Sequence, residues 1–154
     1  LGYYLGTKLS SEALVGSYGD LFSAVSLRYF FIYGPGQARG MLIPRLYDRV
    51  LNGQPIGLQG DNGMRINPVH VDDAAAATIA ASRLKGRVTV NVAGPEVLSL
   101  RAIGELFGRD LEREPVFESS DGAAADLIAS TDRMSESLVA PVITVSDALS
   151  DIRE

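Results

Sequence analysis

The sequence predicts an α/β architecture in which parallel strands are joined by crossover helices. Segments with helical periodicity alternate with β-rich segments along the whole chain. Residues 24–33, AVSLRYFFIY, are almost continuously apolar, which is typical of a strand buried on both faces of a parallel sheet. Hydrophobic residues make up 46% of the 154 residues and charged residues 21%, an ordinary composition for a globular domain.

Glycine and proline residues delimit the elements of the first half. Apolar side chains recur at helical spacing in residues 2–18, and Gly19 follows them as a stop. Pro44 lies in the first turn of a second helical segment, and Gly53 follows its end. The tetrapeptide GDNG at 60–63 predicts a turn of the hairpin type. The predicted order is helix 2–18, strand 24–33, helix 43–53 and strand 55–59.

Capping residues define the second half of the chain. Asp72 can cap an alanine-rich helix, and Ser99 can cap the helix with the sequence LRAIGELFGRDL. Residues 120–130 are small and polar, which predicts a loop. The predicted order is an extended segment 67–71, helix 73–85, strand 87–94, helix 100–111, strand 115–119 and two short helices near 131–138 and 146–153.

The composition argues against several kinds of site. The formal net charge of −5 disfavours a broad nucleic-acid-binding surface. Because there is no cysteine, disulfides and thiolate metal sites are excluded, and the expected location is a reducing cytoplasm. No apolar run reaches the roughly 18 residues that a membrane span needs. Asp72 and Asp73 are adjacent carboxylates, but no other ligand cluster accompanies them, so we expect no metal site.

The first helical segment carries the spacing Tyr4-x-x-x-Lys8. Positions i and i+4 lie on one helix face. A neighbouring ammonium lowers the pKa of a phenol toward the working range, and such a phenol can take a proton from an alcohol while a hydride leaves the same carbon. The hydride acceptor would be a nicotinamide. The alternative for this spacing is an ordinary amphipathic helix with an exposed lysine.

Several motifs of the chain keep the order that they have in a known family. They are YLGTKLSSE, LRYFFIYGPGQ, IPRLYDRVLNGQPIGLQGDNGMRINPVHVDDAA and NVAGPEVLSLRAIGELFG. Together they make the chain similar to the second half of an extended short-chain dehydrogenase/reductase, in the NAD-dependent epimerase/dehydratase family. The resemblance implies that residues 1–154 are a carboxyl-terminal half. It would hold the last part of a Rossmann-type parallel sheet interleaved with a small α/β substrate-binding domain.

The resemblance implies catalytic and cofactor-binding roles near the amino terminus. Tyr4 would be the base, and Lys8 would assist it and hydrogen-bond the nicotinamide ribose, so that both also count as cofactor-binding residues. Tyr3 is a rival tyrosine, but the residue four positions later is Thr7. Phe30 is the implied contact to the nicotinamide. The implied cofactor is NAD, with NADP left open.

Substrate contacts are also implied by the resemblance. They are Phe31, Gly57, Leu58, Gln59 and Arg65. Arg65 resembles an arginine that clamps a substrate diphosphate, but four residues separate it from His70 where the family has three, and a solvent-exposed arginine is the alternative. His70, the only histidine, is expected to support the fold. Phe31 and Met41 occupy places where nucleotide-sugar epimerases have asparagine, and a phenyl ring cannot replace the hydrogen bonds of an amide.

The implied function is that of an NAD(P)-dependent epimerase or dehydratase acting on a sugar, with a nucleotide sugar as the leading substrate. The alternatives are a reductase of a small ketone or aldehyde and a non-catalytic binding protein on the same scaffold. The family's glycine-rich dinucleotide loop precedes its catalytic tyrosine, so the sequence predicts an inactive fragment of such an enzyme. The intact protein is expected to form a homodimer through the Tyr–Lys helix and to bind neither nucleic acid nor membrane.

Overall fold

The computed structural model describes residues 2–153, in which helices and short strands alternate. The helices are α1 (Gly2–Gly16), α2 (Leu42–Leu51), α3 (Val71–Ala81), α4 (Leu100–Leu111), α5 (Asp132–Ser137) and α6 (Leu149–Arg153). The strands are β1 (Ala24–Tyr29), β2 (Ile56–Gln59), β3 (Arg65–Ile66), β4 (Arg87–Val92), β5 (Leu98–Ser99) and β6 (Phe117–Ser120). None of the helices in the described part of the chain is long and apolar enough to cross a membrane.

The strands form three two-stranded sheets. Strand β1 pairs in parallel with β4, from Ala24 opposite Arg87 to Tyr29 opposite Val92. Strand β2 pairs in parallel with β6, and β3 pairs antiparallel with β5. Two of the three pairings thus join strands that are distant in sequence and parallel, which confirms the predicted α/β class.

Two clusters of buried side chains hold these elements together. The larger cluster joins α2, α4, α6 and β2, and within it the rings of Tyr47 and Phe107 meet edge to face with centroids 5.2 Å apart. The smaller cluster lies between α3, α5 and β4. Its fully buried members are Val69, Ala74, Ala77, Val90, Val92 and Met134. The carboxyl-terminal residues belong to the larger cluster, because Val145, Ala148 and Ile152 are all buried in it.

The first predicted strand is shorter than its apolar sequence indicates. Strand β1 ends at Tyr29 rather than at residue 33, because Phe31 has a φ of 46°, in the left-handed region that interrupts an extended strand. The chain returns to extended pairing at Tyr33, which forms an isolated parallel bridge with His70. The residues that follow Phe30 therefore form a turn at the carboxyl end of the strand.

The turn predicted at GDNG is present, but its predicted hairpin type is wrong. Strands β2 and β3, which flank this turn, pair with β6 and β5 and not with each other. The turn instead leads the chain to the start of α4, where the carbonyl groups of Asn62 and Met64 accept hydrogen bonds from the backbone N–H groups of Arg101 and Leu100. The backbone groups that a hairpin would have paired with each other are hydrogen-bonded instead to β6, to β5 and to the start of α4.

The predicted cap of the alanine-rich helix is also wrong by two residues. Helix α3 begins at Val71, and His70 is its N-cap, with Nδ1 accepting a hydrogen bond from the Asp72 backbone N–H at 3.3 Å. Asp72 lies exposed in the first turn. Asp73 is buried, and its Oδ2 accepts hydrogen bonds from two backbone N–H groups of the segment at 142–143, both at 2.9 Å. The predicted cap of α4 is confirmed, because Ser99 Oγ accepts a hydrogen bond from Ala102 N–H.

Replacing Asp73 by alanine is expected to lower the free energy of unfolding by about 1–3 kcal/mol, because two backbone N–H groups lose their acceptor. Chemical denaturation of the complete protein measures this change. Asp72 is the matched control, since its exposed carboxylate accepts no backbone hydrogen bond from the described residues and only faces the helix dipole and His70 Nδ1, 3.8 Å away, so Asp72→Ala should cost less than about 1 kcal/mol. Equal losses in the two variants would contradict the structural role of Asp73.

Candidate functional site

Tyr4 and Lys8 lie one turn apart on the same face of α1. The Lys8 Nζ stands 5.4 Å from the centroid of the Tyr4 ring. Thr7, between them, turns its hydroxyl back onto the helix and donates a hydrogen bond to the Tyr4 carbonyl at 2.7 Å. The Tyr4 side chain is 73% exposed. The structure therefore brings the two residues together and leaves the phenol free to meet a ligand.

A cleft of about 530 Å³ opens beside Tyr4. It is formed by the carboxyl end of β1, the turn that follows it and the start of α2. Its walls are Tyr4, Tyr29, Phe31, Ile32, Gln37, Met41, Leu42 and Ile43. Most of these side chains are apolar, and a predominantly apolar cleft with a few polar groups is the usual form of a small-molecule site. The carboxyl ends of parallel strands are also where α/β proteins bind their ligands.

Phe31 owes its place in this cleft to an uncommon backbone conformation. Its φ of 46° lies in the left-handed region, which is sterically costly for a bulky side chain and is found mostly where a site requires it. The turn is braced by Gln37, whose Nε2 donates a hydrogen bond to the Ile32 carbonyl at 2.6 Å. Sequence reasoning missed Gln37. The only signal was its position directly after the GPG that ends the strand.

Phe30 does not line the cleft. Its backbone is engaged by the sheet, with its N–H donating to the Val92 carbonyl at 2.9 Å and its carbonyl accepting from Val69 N–H at 3.3 Å. Only the half-buried side chain of Phe30 is thus left for a cofactor.

The candidate contacts on β2 lie away from the cleft. Gly57 and Gln59 are exposed, whereas the Leu58 side chain is buried in the larger core cluster. The Leu58 carbonyl accepts a hydrogen bond from the Ser120 hydroxyl at 3.1 Å. A ligand on this strand would therefore meet exposed backbone at Gly57 and the side chain of Gln59, but not the side chain of Leu58.

Arg65 is held by a carboxylate. Its Nε and Nη2 donate to Oδ2 of Asp126 at 2.9 and 2.7 Å, and its backbone N–H donates to Oδ1 at 2.8 Å. Hydrogen bonding by the Arg65 guanidinium holds the pKa of the Asp126 carboxyl below its usual value. The guanidinium fork that sequence reasoning assigned to a diphosphate is thus occupied by Asp126, and a phosphate ligand must compete with this pair.

His70 lies in the core and does not reach the cleft. It is 2% exposed, its Nε2 lies 3.1 Å from Asp151 Oδ2, and its ring meets Tyr33 edge to face with centroids 5.3 Å apart. Burial raises the pKa of the Tyr33 phenol. Together with the cap at α3, these contacts agree with the supporting role expected for His70.

Comparisons with known proteins identify relatives of the chain. The family model of the NAD dependent epimerase/dehydratase family matches residues 2–93. The UDP-glucuronate 4-epimerase of Thermodesulfobacterium geofontis is 31% identical over 121 residues, 74% of this chain and 38% of that protein. An uncharacterized UDP-glucose epimerase of Bacillus subtilis is 30% identical over 131 residues, 82% of this chain and 41% of that protein. The chain thus spans about two fifths of the length of these curated relatives.

Solved structures of epimerases share the fold. The UDP-glucuronic acid 4-epimerase of Bacillus cereus in complex with NAD superposes with a TM-score of 0.83 at 28% identity, over 96% of this chain and 50% of that one. The Thermus thermophilus UDP-glucose 4-epimerase complex with NAD gives a TM-score of 0.81 at 23% identity, over 97% and 52%. These likenesses confirm the expected Rossmann-type architecture. Since the family model covers more than half of the sequence, the chain belongs to the NAD-dependent epimerase/dehydratase family.

Proposed function

We propose that the chain is part of an NAD-dependent epimerase or dehydratase that acts on a nucleotide sugar through a keto intermediate. The observation that carries the proposal is the pairing of Tyr4 with Lys8 at the mouth of the cleft, in a chain of this family. Relatives named UDP-glucuronate 4-epimerase and neighbours solved with NAD and UDP-glucuronic acid support the cofactor and the substrate class. NADP remains the alternative cofactor.

The residues of the cleft suit the proposed cofactor and reaction. The exposed ammonium of Lys8 can donate a hydrogen bond to a ribose hydroxyl, and the apolar walls at Phe31 and Ile32 suit an aromatic ring. The side chain of Phe30 is a further proposed contact. A bound nicotinamide would supply the hydride acceptor.

Tyr4, as its phenolate, would take the proton of the substrate hydroxyl onto its Oη as the carbon–hydrogen bond of the same carbon breaks and the hydride leaves for a nicotinamide acceptor. The product of this step is a ketone at that carbon. In an epimerase the ketone is reduced on its other face and Tyr4 Oη returns the proton, so that the enzyme ends in its starting state. Lys8 keeps the phenol and the ribose in one arrangement throughout.

A second function is favoured by the cleft itself. Phe31 and Met41 line it at positions where nucleotide-sugar epimerases have asparagine, so its walls offer hydrophobic surface in place of amide hydrogen bonds. An NAD(P)-dependent reductase of a small ketone or aldehyde would use the same Tyr4 and Lys8. A non-catalytic protein on this scaffold is the third alternative, and it predicts no turnover.

One experiment separates these functions. The complete protein, including any sequence that flanks the 154 residues, is incubated with NAD and UDP-glucuronic acid or UDP-glucose, and separately with NADH or NADPH and small ketones or aldehydes, and the products are analysed by NMR. Formation of the 4-epimer or of a dehydrated sugar is expected. Turnover confined to small ketones or aldehydes with reduced cofactor would favour the reductase. Absence of turnover with every substrate and both cofactors would contradict an enzymatic role.

Arg65 is proposed to contact the diphosphate of the substrate, with Gly57 and Gln59 beside the nucleotide base and Leu58 contributing only its backbone. Because Asp126 occupies the guanidinium of Arg65, Asp126→Asn should weaken that pair and lower the dissociation constant for UDP by about twofold to fivefold, the scale of one exposed charge pair. Isothermal titration of the complete protein with UDP measures this change. Arg65→Gln should raise the constant. Unchanged affinity in both variants would leave Arg65 as a structural residue.

The remaining proposals concern assembly and location. Helix α1 exposes Leu5, Leu9 and Leu14, and a homodimer through this helix is proposed for the complete protein. Sedimentation of Leu9→Glu against the unmodified protein tests it, and an unchanged mass would contradict it.

The cytoplasmic location rests on the absence of cysteine. Residues 1–154 are proposed to be the carboxyl-terminal half of the enzyme, with catalytic helix and substrate-binding part interleaved.

A further inference from the structure

Helix α1 makes few contacts with the other described residues. Gly16 is its one buried residue and Glu12 is half-buried, whereas the remaining residues between 2 and 15 are exposed. Among the described residues, the contacts at Glu12 and Gly16 therefore set the direction of α1 and the position of Tyr4 and Lys8 beside the cleft.

Glu12 ties the helix to both strands of the first sheet. Arg28 on β1 donates to it from two nitrogens, Nε to Oε2 at 2.9 Å and Nη2 to Oε1 at 2.6 Å. The hydroxyl of Thr89 on β4 lies 3.5 Å from Oε1. A two-bonded guanidinium–carboxylate pair fixes orientation as well as distance, unlike a single exposed ion pair. The Arg28 guanidinium also holds the pKa of the Glu12 carboxyl below its usual value.

Gly16 provides the second point of contact, one turn further along. A Cβ atom at this position would lie 2.8 Å from Nε of Arg87, so the guanidinium of this β4 residue packs directly against the helix there. With a rise of 1.5 Å per residue, Glu12 lies about 6 Å and Tyr4 about 18 Å from Gly16 along the axis. The helix thus acts as a lever about Gly16. A shift of about 0.5 Å at Glu12 becomes about 1.5 Å at Tyr4.

We propose that Glu12 and Arg28 are positioning residues that fix the direction of α1 and thereby hold Tyr4 and Lys8 over the cleft. The inference rests on the proposed role of Tyr4 as base. Tyr4 and Lys8 belong to one rigid helix. Loss of the two hydrogen bonds between Arg28 and Glu12 therefore moves both residues together and preserves their own pairing. The ligand contacts on β2 are separate from α1 and keep their geometry. The reaction then loses rate at the chemical step and keeps its affinity for substrate.

A double-mutant cycle in the complete protein tests this inference. Glu12→Gln and Arg28→Gln are each expected to lower kcat by about tenfold to a hundredfold and to leave the KM for the sugar substrate unchanged. A misplacement of Tyr4 near 1 Å costs rate on that scale. The kcat of the double variant is expected to fall no further than that of either single variant, because each substitution removes the same Glu12–Arg28 pair. Glu136→Gln on α5 and Arg45→Gln on α2 remove exposed charges elsewhere and serve as controls. Losses that multiply in the double variant, a rise in KM in place of a fall in kcat, or kcat within twofold of the unmodified protein would overturn the inference.

Hydrogen exchange gives a second measurement that does not depend on catalysis. The backbone amides of residues 2–16 should exchange faster in Glu12→Gln and in Arg28→Gln, to the same extent, while the amides of β2 stay unchanged. Exchange of α1 that is unaffected in both variants would overturn the inference. Full turnover in Tyr4→Phe would instead contradict the proposed function, and exchange would still decide whether the fork fixes the helix.

Discussion

Replacing Tyr4 by phenylalanine is expected to reduce turnover of the complete protein by about 10² to 10⁴-fold, the usual contribution of a general base. The substitution removes only the phenolic oxygen. The ring that Lys8 Nζ faces at 5.4 Å is retained, and so is the helix. Because the side chain is 73% exposed and contributes nothing to either core cluster, the free energy of unfolding should stay within about 0.5 kcal/mol. Steady-state kinetics and denaturation measure the two quantities.

Tyr3 offers a matched control for this experiment. It precedes Tyr4 on the same helix, it is 89% exposed, and Thr7 stands four residues after it in place of a lysine. Tyr3→Phe should leave both turnover and stability unchanged. A variant at Tyr4 that retains turnover, or equal losses at Tyr3 and Tyr4, would refute the assignment of the base.

Replacing Gly94 by alanine is expected to destabilise the protein by about 3 kcal/mol or more, at the upper end of what overpacking costs. A Cβ atom at this position would lie 1.8 Å from the carbonyl oxygen of Pro68, and backbone cannot swing aside as a flexible side chain can. Gly94 N–H also donates to the carbonyl of Asn67, whose buried side chain holds the backbone of Ala129 by two hydrogen bonds. Moving one of these segments therefore disturbs the others.

Thermal and chemical denaturation of the complete protein measure this loss. Gly40→Ala is the control, because no atom lies within 4 Å of the added carbon there, and it should change the free energy of unfolding by less than about 0.5 kcal/mol. A Gly94→Ala variant as stable as Gly40→Ala would mean that the close approach of the two backbones is not required for folding.

Caps and helix-ending residues in the sequence predicted the structure correctly where interactions between neighbouring residues determine it. Ser99 caps α4 as expected, and α2 follows the segment marked by Pro44 and Gly53 within two residues at each end. Errors arose where distant partners decide. The sequence predicted the cap of the helix at Asp72 and no role for Asp73, but the Asp73 carboxylate accepts hydrogen bonds from backbone groups about 70 residues away in the chain. Strand β1 stops early because a single residue, Phe31, adopts a left-handed conformation that its apolar neighbours do not reveal.

The same difference between neighbouring and distant partners explains which parts of the candidate site could be predicted. The Tyr4–Lys8 pairing follows from helix periodicity alone, so the sequence was enough to find it. The partner of Arg65 lies 61 residues away, and no spacing rule could have predicted that Asp126 would occupy the guanidinium. Gln37 was missed because its amide acts on the turn after β1, a turn that becomes visible only when the end of the strand is known.

The burial of Val145, Ala148 and Ile152 in the larger cluster has a consequence for synthesis on the ribosome. Strand β2 and helices α2 and α4 emerge early, but the side chains that close the cluster over them follow only at the end of these 154 residues. Until then the nascent chain presents an open apolar surface, which is the usual target of chaperones. A ribosome that stalls before residue 145 should hold a partly folded chain that is sensitive to protease. Once residue 153 has left the exit tunnel, the chain should resist protease.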